Sequence, residues 1–295
     1  MNAPEEIWKL GEEREKARQA KDYALADRLR DQLALLGWEI FDLAGSFELR
    51  EKLRYAVVEN LRAMTPIFAP CEIAIAMVVQ GFQDDAAAAV ESIRQFSDVP
   101  VVLLSLGEVG SLVGIIDERT AVIKVVEESG WGPAANALLQ NLPSRFLAIM
   151  DPSTRFLGDP IGPVLAHLRE GTFAAVGWKG GLINTDDEWR SVDDKGPGEV
   201  DVLFSYFIVV DRQAALEVGG FNARALYYRN ADIEFSLRMR HAGGRLLQVD
   251  LPLTQDRHHG YHDVDPNFRE VQSKKNYDRI LERFRGKNAI LSPRR

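Results

Sequence analysis

The chain has 295 residues, 46% hydrophobic and 27% charged, a balance that suits a globular protein with a sizeable core and excludes wholesale disorder. A formal charge of −8 argues against a broad surface tracking nucleic-acid phosphates, and with Cys71 as the single cysteine no internal disulfide can form. The longest apolar runs, such as Ile73 to Val79, fall well short of the roughly 20 residues that span a bilayer, and Met1 to Glu6 lacks the basic and apolar regions of a signal peptide, so the expected location is cytoplasmic with any membrane contact peripheral.

Residues 4–36 read as two helices with a polar turn at Lys21-Asp22. Ile7, Leu10, Arg14 and Ala17 recur along the first, and Leu25, Leu29, Leu33 and Leu36 along the second, which Gly37 stops. Trp38 to Phe47, with Ala44-Gly45-Ser46 inside it, reads as a small β-hairpin, and Glu51 to Met64 as a further helix. Pro66 and Pro70 then mark the join to a second domain, giving an expected division into residues 1–65 and 66–295.

The second domain alternates. Glu72–Val79 is a continuous apolar run suited to a strand buried on both faces, 84–96 a helix, 99–104 a strand and 120–126 another. Gly130-Trp131-Gly132-Pro133 turns into a helix over 134–142, and 146–150 is a strand running into Asp151. A helix over 161–170 and a strand over 173–176 follow. This spacing predicts an α/β fold with a doubly wound, mostly parallel sheet, whose ligands sit beyond the carboxyl ends of the strands. Residues 184–199, rich in Asp, Gly and Lys, read as a surface loop, and 202–210 as a returning strand.

Gly219 to Gly244 is the most informative stretch. Gly219-Gly220 closes one helix, an aromatic loop leads to Asn230 as N-cap, and a new helix opens with Asp232 in its first turn and ends at Gly243-Gly244. This places Asp232 at an exposed mouth, where an acid also stabilises the helix dipole with no chemistry at all. A strand over 245–249 precedes the cluster Asp256-Arg257-His258-His259-Gly260-Tyr261-His262, and Ser292–Arg295 reads as a frayed tail.

The order Gly219-Gly220-Phe221, aromatic loop, Asp232-Ile233-Glu234-Phe235-Ser236-Leu237-Arg238, Ala242-Gly243 resembles family 2 of the glycosyltransferases, inverting enzymes of the glycosyltransferase-A fold. The resemblance covers roughly residues 72–285. It implies a transferase moving a sugar from a nucleotide-diphosphate donor to an acceptor hydroxyl of a saccharide, lipid or protein, with Asp232 as catalytic base and Mn²⁺ or Mg²⁺ as cofactor. It places donor contacts at Gln80, Ser105 (or Glu108), Asn136 and Asp151, and acceptor contacts at Ser205 and Tyr206; Trp178 and Tyr206 also suit stacking on an acceptor sugar ring, and each aromatic equally reads as a core residue. The metal ligands implied are Asp151 and His259, with His258 as the alternative; Asp151 equally reads as an acid capping the end of a buried strand. The chain departs from the family wording at Ala231, where the family has Glu, and at Ser153, where it has the second Asp of Asp-x-Asp. Both departures admit an inactive scaffold that binds without transfer.

The stretch from Arg14 to Asp42 resembles the C-terminal helical segment of cysteinyl-tRNA synthetases, with Ala-Arg, Lys-Asp-Tyr, Ala-Asp and Leu-Gly in the same order. None of a synthetase's catalytic motifs accompanies it. Acids outnumber bases over residues 1–50, which favours a packing or homo-oligomerisation hairpin over RNA binding.

Overall fold

The structure, a computed structural model, describes residues 3–255 and 265–294. The chain divides into two units, Met1–Arg54 and Tyr55–Arg295.

In the first unit, helices α1 (Glu5–Gln19) and α2 (Tyr23–Leu35) form the expected hairpin, with the Asp22 carboxylate accepting the Leu25 N–H at 3.0 Å as an N-cap. Strands β1 (Trp38–Leu43) and β2 (Ser46–Glu51) pair antiparallel across the Ala44-Gly45 turn. Gly11 lies where α1 meets the hairpin: a β-carbon there would stand 2.5 Å from the Phe47 ring. Arg14, buried on α1, bonds both oxygens of Asp42 on β1, and this contact, with the neighbouring Arg18, holds the Asp42 carboxyl below its ordinary value.

The second unit begins not with the helix expected over 51–64 but with strand β3 (Ala56–Val58) and a single 3₁₀ turn at Leu61–Ala63. Tertiary pairing overrides local propensity here, because Ala56–Val58 has an open sheet edge, Ile123–Val125, to hydrogen-bond along. The chain continues through β4 (Cys71–Val79), α3 (Gln83–Arg94), β5 (Val101–Ser105), β6 (Thr120–Val125), α4 (Trp131–Asn141), β7 (Ser144–Met150), β8 (Thr154–Phe156) and α5 (Ile161–Arg169). Then come β9 (Ala175–Gly177), β10 (Gly180–Ile183), β11 (Val192–Asp193), β12 (Gly198–Val200), β13 (Val202–Leu203), β14 (Phe207–Asp211) and α6 (Arg212–Glu217). The last elements are α7 (Ala231–His241), β15 (Leu246–Gln248), β16 (Leu253–Gln255) and α8 (Pro266–Phe284).

The main sheet runs β12-β15-β9-β14-β7-β4-β5-β6-β3 and is parallel throughout except at β14 and β12. β4 is buried on both faces because its alternate residues serve two cores. Ile73, Ile75, Met77 and Val79 point to the side covered by α3 and α5, and Ala74, Ala76 and Val78 to the side of α4, where small side chains let that helix approach. A third, smaller cluster joins Leu237 of α7 to Ile280 and Phe284 of α8 and to Trp189, so the polar stretch 184–199 is pinned by a buried indole.

Two expectations change in detail. The strand expected over 202–210 is broken: β13 pairs with β10 in a small separate sheet, Phe204–Tyr206 turns, and only β14 enters the main sheet. The end of the chain is docked as far as Arg294, with Ser292 buried and its N–H donated to the fully buried Asp201, and with Arg294 bonded to the Gly196 carbonyl.

Candidate active site

The antiparallel entry of β14 sets up the site. Phe207 pairs with Met150, so the residues just before β14 arrive at the carboxyl end of β7, beside Asp151. The Asp151 N–H donates to the Tyr206 carbonyl at 3.1 Å, and the Thr154 hydroxyl to the same oxygen at 2.9 Å. Gln80, one residue past the carboxyl end of the adjacent β4, is exposed. It lines a cavity with Asp151, Ser205, Trp131 and Tyr228. That cavity holds only about 40 Å³, the scale of one or two waters.

Asp232 reaches the same place from α7. It is buried, at 7% exposure, rather than standing at an exposed mouth. One carboxylate oxygen accepts the Ser205 N–H at 2.9 Å and the Ser205 hydroxyl at 3.2 Å; the other accepts the Ile233 N–H at 2.9 Å. Burial pushes its pKa above the ordinary carboxylate value, against the opposing pull of these donors. The residue before the helix, Asn230, is left-handed at φ 68° and does not cap with its side chain, whose amide instead donates to the Ser273 carbonyl on α8 at 3.3 Å. Asp232 lines a second cavity of about 290 Å³ with Tyr228, Phe204, Tyr206 and Arg229. A third, about 250 Å³, lies beyond Phe204 and Tyr206 and is lined also by Trp178, Lys179, Asp194 and Gln255.

The structure therefore brings Gln80, Asp151, Ser205, Tyr206, Trp178 and Asp232 to one run of adjoining cavities. Ser105 and Asn136 lie outside these linings. The Ser105 hydroxyl is buried and bonds the Glu108 carbonyl at 3.0 Å, closing the turn after β5, while the Glu108 side chain pairs with Lys124. Asn136 clamps the backbone of Phe221, donating to its carbonyl and accepting from its N–H, both at 2.8 Å. The Gly-rich turn is likewise a docking surface. A β-carbon on Gly132 would lie 2.4 Å from the Asn222 carbonyl oxygen, and one on Gly130 2.7 Å from the Leu226 backbone, while the Trp131 and Gly132 amides donate to Leu226 and Ala225. The glycines let the loop 222–228 lie directly against the start of α4.

Both departures from the family wording are internal features of the fold. Ala231 is fully buried, and Ser153, also fully buried, donates its N–H at 2.8 Å and its hydroxyl at 2.5 Å to Asp151. Ser153 serves that carboxylate as a donor and presents no surface to a ligand. The expected metal ligand His259 and its alternative His258 lie outside the described residues. Gln255, however, pairs with Thr154, so β16 ends beside the Asp151 turn. Among the described residues, no three acids, histidines or cysteines cluster as a metal site.

Sequence reasoning did not single out Tyr228, Phe204 or Gln255. Tyr228 was visible as part of an aromatic loop, but its role depends on the loop's docking. Its phenol is pushed upward by burial, with Tyr227 and the charges of Asp151 and Asp232 adding to the shift, so it stays protonated between the two acids. Glu234, equally unremarked, is buried and accepts the Asn222 amide at 2.8 Å with Arg279 of α8 alongside, which ties the loop, α7 and α8 together.

No protein-family model matches the sequence, and no curated protein matches it. Solved structures do resemble it. GalNAc-T7, crystallised with UDP, GalNAc and Mn²⁺, aligns with a TM-score of 0.56 at 14% identity over 72% of this chain and 47% of that one, so the present chain spans about half of its length. The mannosyltransferase PcManGT from Pyrobaculum calidifontis, in complex with GDP-Man and Mn²⁺, aligns with a TM-score of 0.51 at 13% identity over 76% of this chain and 72% of that one. Identities this low speak to architecture alone, and the architecture shared with these nucleotide-sugar enzymes is the glycosyltransferase-A fold, preceded here by a helical hairpin.

Proposed function

We propose that the protein is an inverting glycosyltransferase that takes a sugar from a nucleotide-diphosphate donor and places it on an acceptor hydroxyl. The observation that carries this reading is the placement of Asp151 and Asp232 in two cavities that share Tyr228 as a common wall. Donor and acceptor sides are thereby adjacent but distinct. An acceptor hydroxyl in the larger cavity attacks the anomeric carbon opposite the departing diphosphate, and Asp232 takes its proton as the new bond forms. Ser205 orients the carboxylate through one oxygen. Burial keeps the base weakly hydrated and shifts its pKa towards neutrality, which favours proton acceptance.

The donor side has one carboxylate and, among the described residues lining it, no basic side chain. A diphosphate bound there needs a compensating cation, which fits Mg²⁺ or Mn²⁺ held by Asp151 together with His259. Such an ion supplies charge neutralisation for the leaving group. In this reading the N-terminal unit is a packing or oligomerisation module, and the acceptor's source is open among saccharide, lipid and protein.

A second reading, a scaffold that binds nucleotide without transfer, is favoured by three specific observations: Ala231 and Ser153 are buried in place of the family acids, and the Asp151 cavity is small. Asp232→Asn separates the two. It keeps the side-chain shape but cannot take a proton, so turnover is expected to fall about a hundredfold or more with donor affinity nearly unchanged. Transfer at the parental rate by this variant, or nucleotide binding by the parent with no transfer from any donor, favours the scaffold.

A further inference from the structure

Resting on that transferase reading, we infer that the acceptor is a saccharide at least two units long, seated with its reacting unit at Asp232 and its distal unit against Trp178. The cavity at Asp232 and the cavity at Trp178 adjoin, with Phe204 and Tyr206 lining both, so a ligand lying along these two rings would occupy them as one trough. Neither alone, at about 290 and about 250 Å³, reaches the roughly 300 Å³ at which small-molecule sites begin, whereas the joined trough falls well inside that range.

The walls match a pyranose chain in chemistry as well as size. Trp178, Phe204 and Tyr206 are all half-buried, with the Phe204 and Tyr206 rings 5.9 Å apart and tilted. Sugar rings present an apolar C–H face to such aromatics and a polar edge to their surroundings. The polar partners are in place: Lys179, Asp194 and Gln255 line the distal cavity, and Arg229 and Asn230 the proximal one. This alternation of aromatic faces with hydrogen-bonding groups of both charges disfavours an acyl or prenyl chain, which wants a continuous apolar wall. Lys179 sits 5.0 Å over the Trp178 ring, so a sugar stacking on that face would move its ammonium aside to the polar edge of the sugar.

The position of the trough follows from the break between β13 and β14, since Phe204–Tyr206 turn there because β13 belongs to a different sheet. The loop 184–199 closes the far side, contributing Val192 and Asp194, and Trp189 anchors it in the third core cluster.

The test is calorimetric titration of the full chain, in the presence of UDP or GDP and Mn²⁺, with cellobiose, maltose and chitobiose and with glucose and N-acetylglucosamine as single-unit controls. At least one disaccharide should bind about tenfold tighter than its own monosaccharide, and Trp178→Ala should erase that difference, the scale expected from losing one aromatic stacking partner. Trp178→Phe should restore most of it. Because Trp178 also packs on the core, unchanged nucleotide affinity in each variant checks that the fold is intact. Equal affinity for one and two units, a Trp178→Ala variant that keeps the difference, or binding of a polyprenyl phosphate and of none of these saccharides overturns the inference. Disaccharide binding that depends on Trp178 in a protein that transfers nothing would sustain the trough while removing the transferase reading.

Discussion

Ser205 gives one oxygen of Asp232 two hydrogen bonds, from its backbone N–H and its hydroxyl, and so ties the turn before β14 to the first turn of α7. The acid that sequence places at a helix mouth is thus the buried link between two segments far apart in the chain. The same contact fixes the carboxylate's direction and leaves its protonation to be decided by burial.

On the acid side, activity should therefore fall at a pH above the ordinary carboxylate value of 3.8, because Asp232 has to be ionised to accept a proton and burial raises its pKa. The sign for stability follows from the same shift. With the folded pKa above the unfolded one, the folded state holds the proton first, so parental stability relative to Asp232→Asn should rise as pH falls from neutrality towards 3.8. Urea midpoints of the two proteins across that interval measure it, and a difference that stays flat removes the raised pKa.

Nucleoside diphosphate should bind more tightly with Mn²⁺ or Mg²⁺ than with a chelator, and Asp151→Ala should remove the difference. Calorimetry across UDP, GDP and ADP also identifies the base. Equal binding with and without the ion would end the role of Asp151 as a ligand and leave it as the acid that Ser153 caps.

Asn136→Ala should cost about 1–3 kcal/mol of stability, since it strips two hydrogen bonds from the Phe221 backbone. Gly220→Ala should be comparably harmful: Gly220 has φ 64°, and its added β-carbon would meet the Asn136 side-chain oxygen at 2.3 Å. Chemical denaturation reads both. A donor contact at Asn136 would show the opposite pattern, with stability kept and nucleotide affinity lost.

Deleting residues 1–54 should change the oligomeric state or solubility while leaving nucleotide affinity as it was. Light scattering and titration together check this. Salt-sensitive binding of tRNA by the full chain, lost on deletion, would instead favour an RNA role for the hairpin.

The alternation of the chain was legible without coordinates because its signals are local. Ile73–Val79 is apolar at every position and is a strand buried on both faces; Gly219-Gly220 follow α6 and Gly243 follows α7 in the left-handed conformation that glycine adopts freely. Asp151 at the end of β7 and Asp232 at the start of α7 were likewise readable, since a strand end and a helix start are properties of the neighbouring ten residues. What each polar side chain does was not readable. Asn136 and Asp232 share the signature of a small polar residue beside glycine-rich or aromatic loops, yet one is taken up by the Phe221 backbone and the other lines a cavity. That difference depends on partners tens of residues away. The helix expected over 51–64 became strand β3 because an edge at β6 was available, and the strand expected over 202–210 broke because its two halves belong to different sheets. Sequence determined the main alternation of strands and helices from β4 to α5 and the ends of α6 and α7, through periodicity and glycine. Only the tertiary structure decided which side chains meet, because the reversal of β14 beside β7 brings Ser205 and Tyr206 to Asp151, and that reversal is set by pairing between strands rather than by any residue in either one.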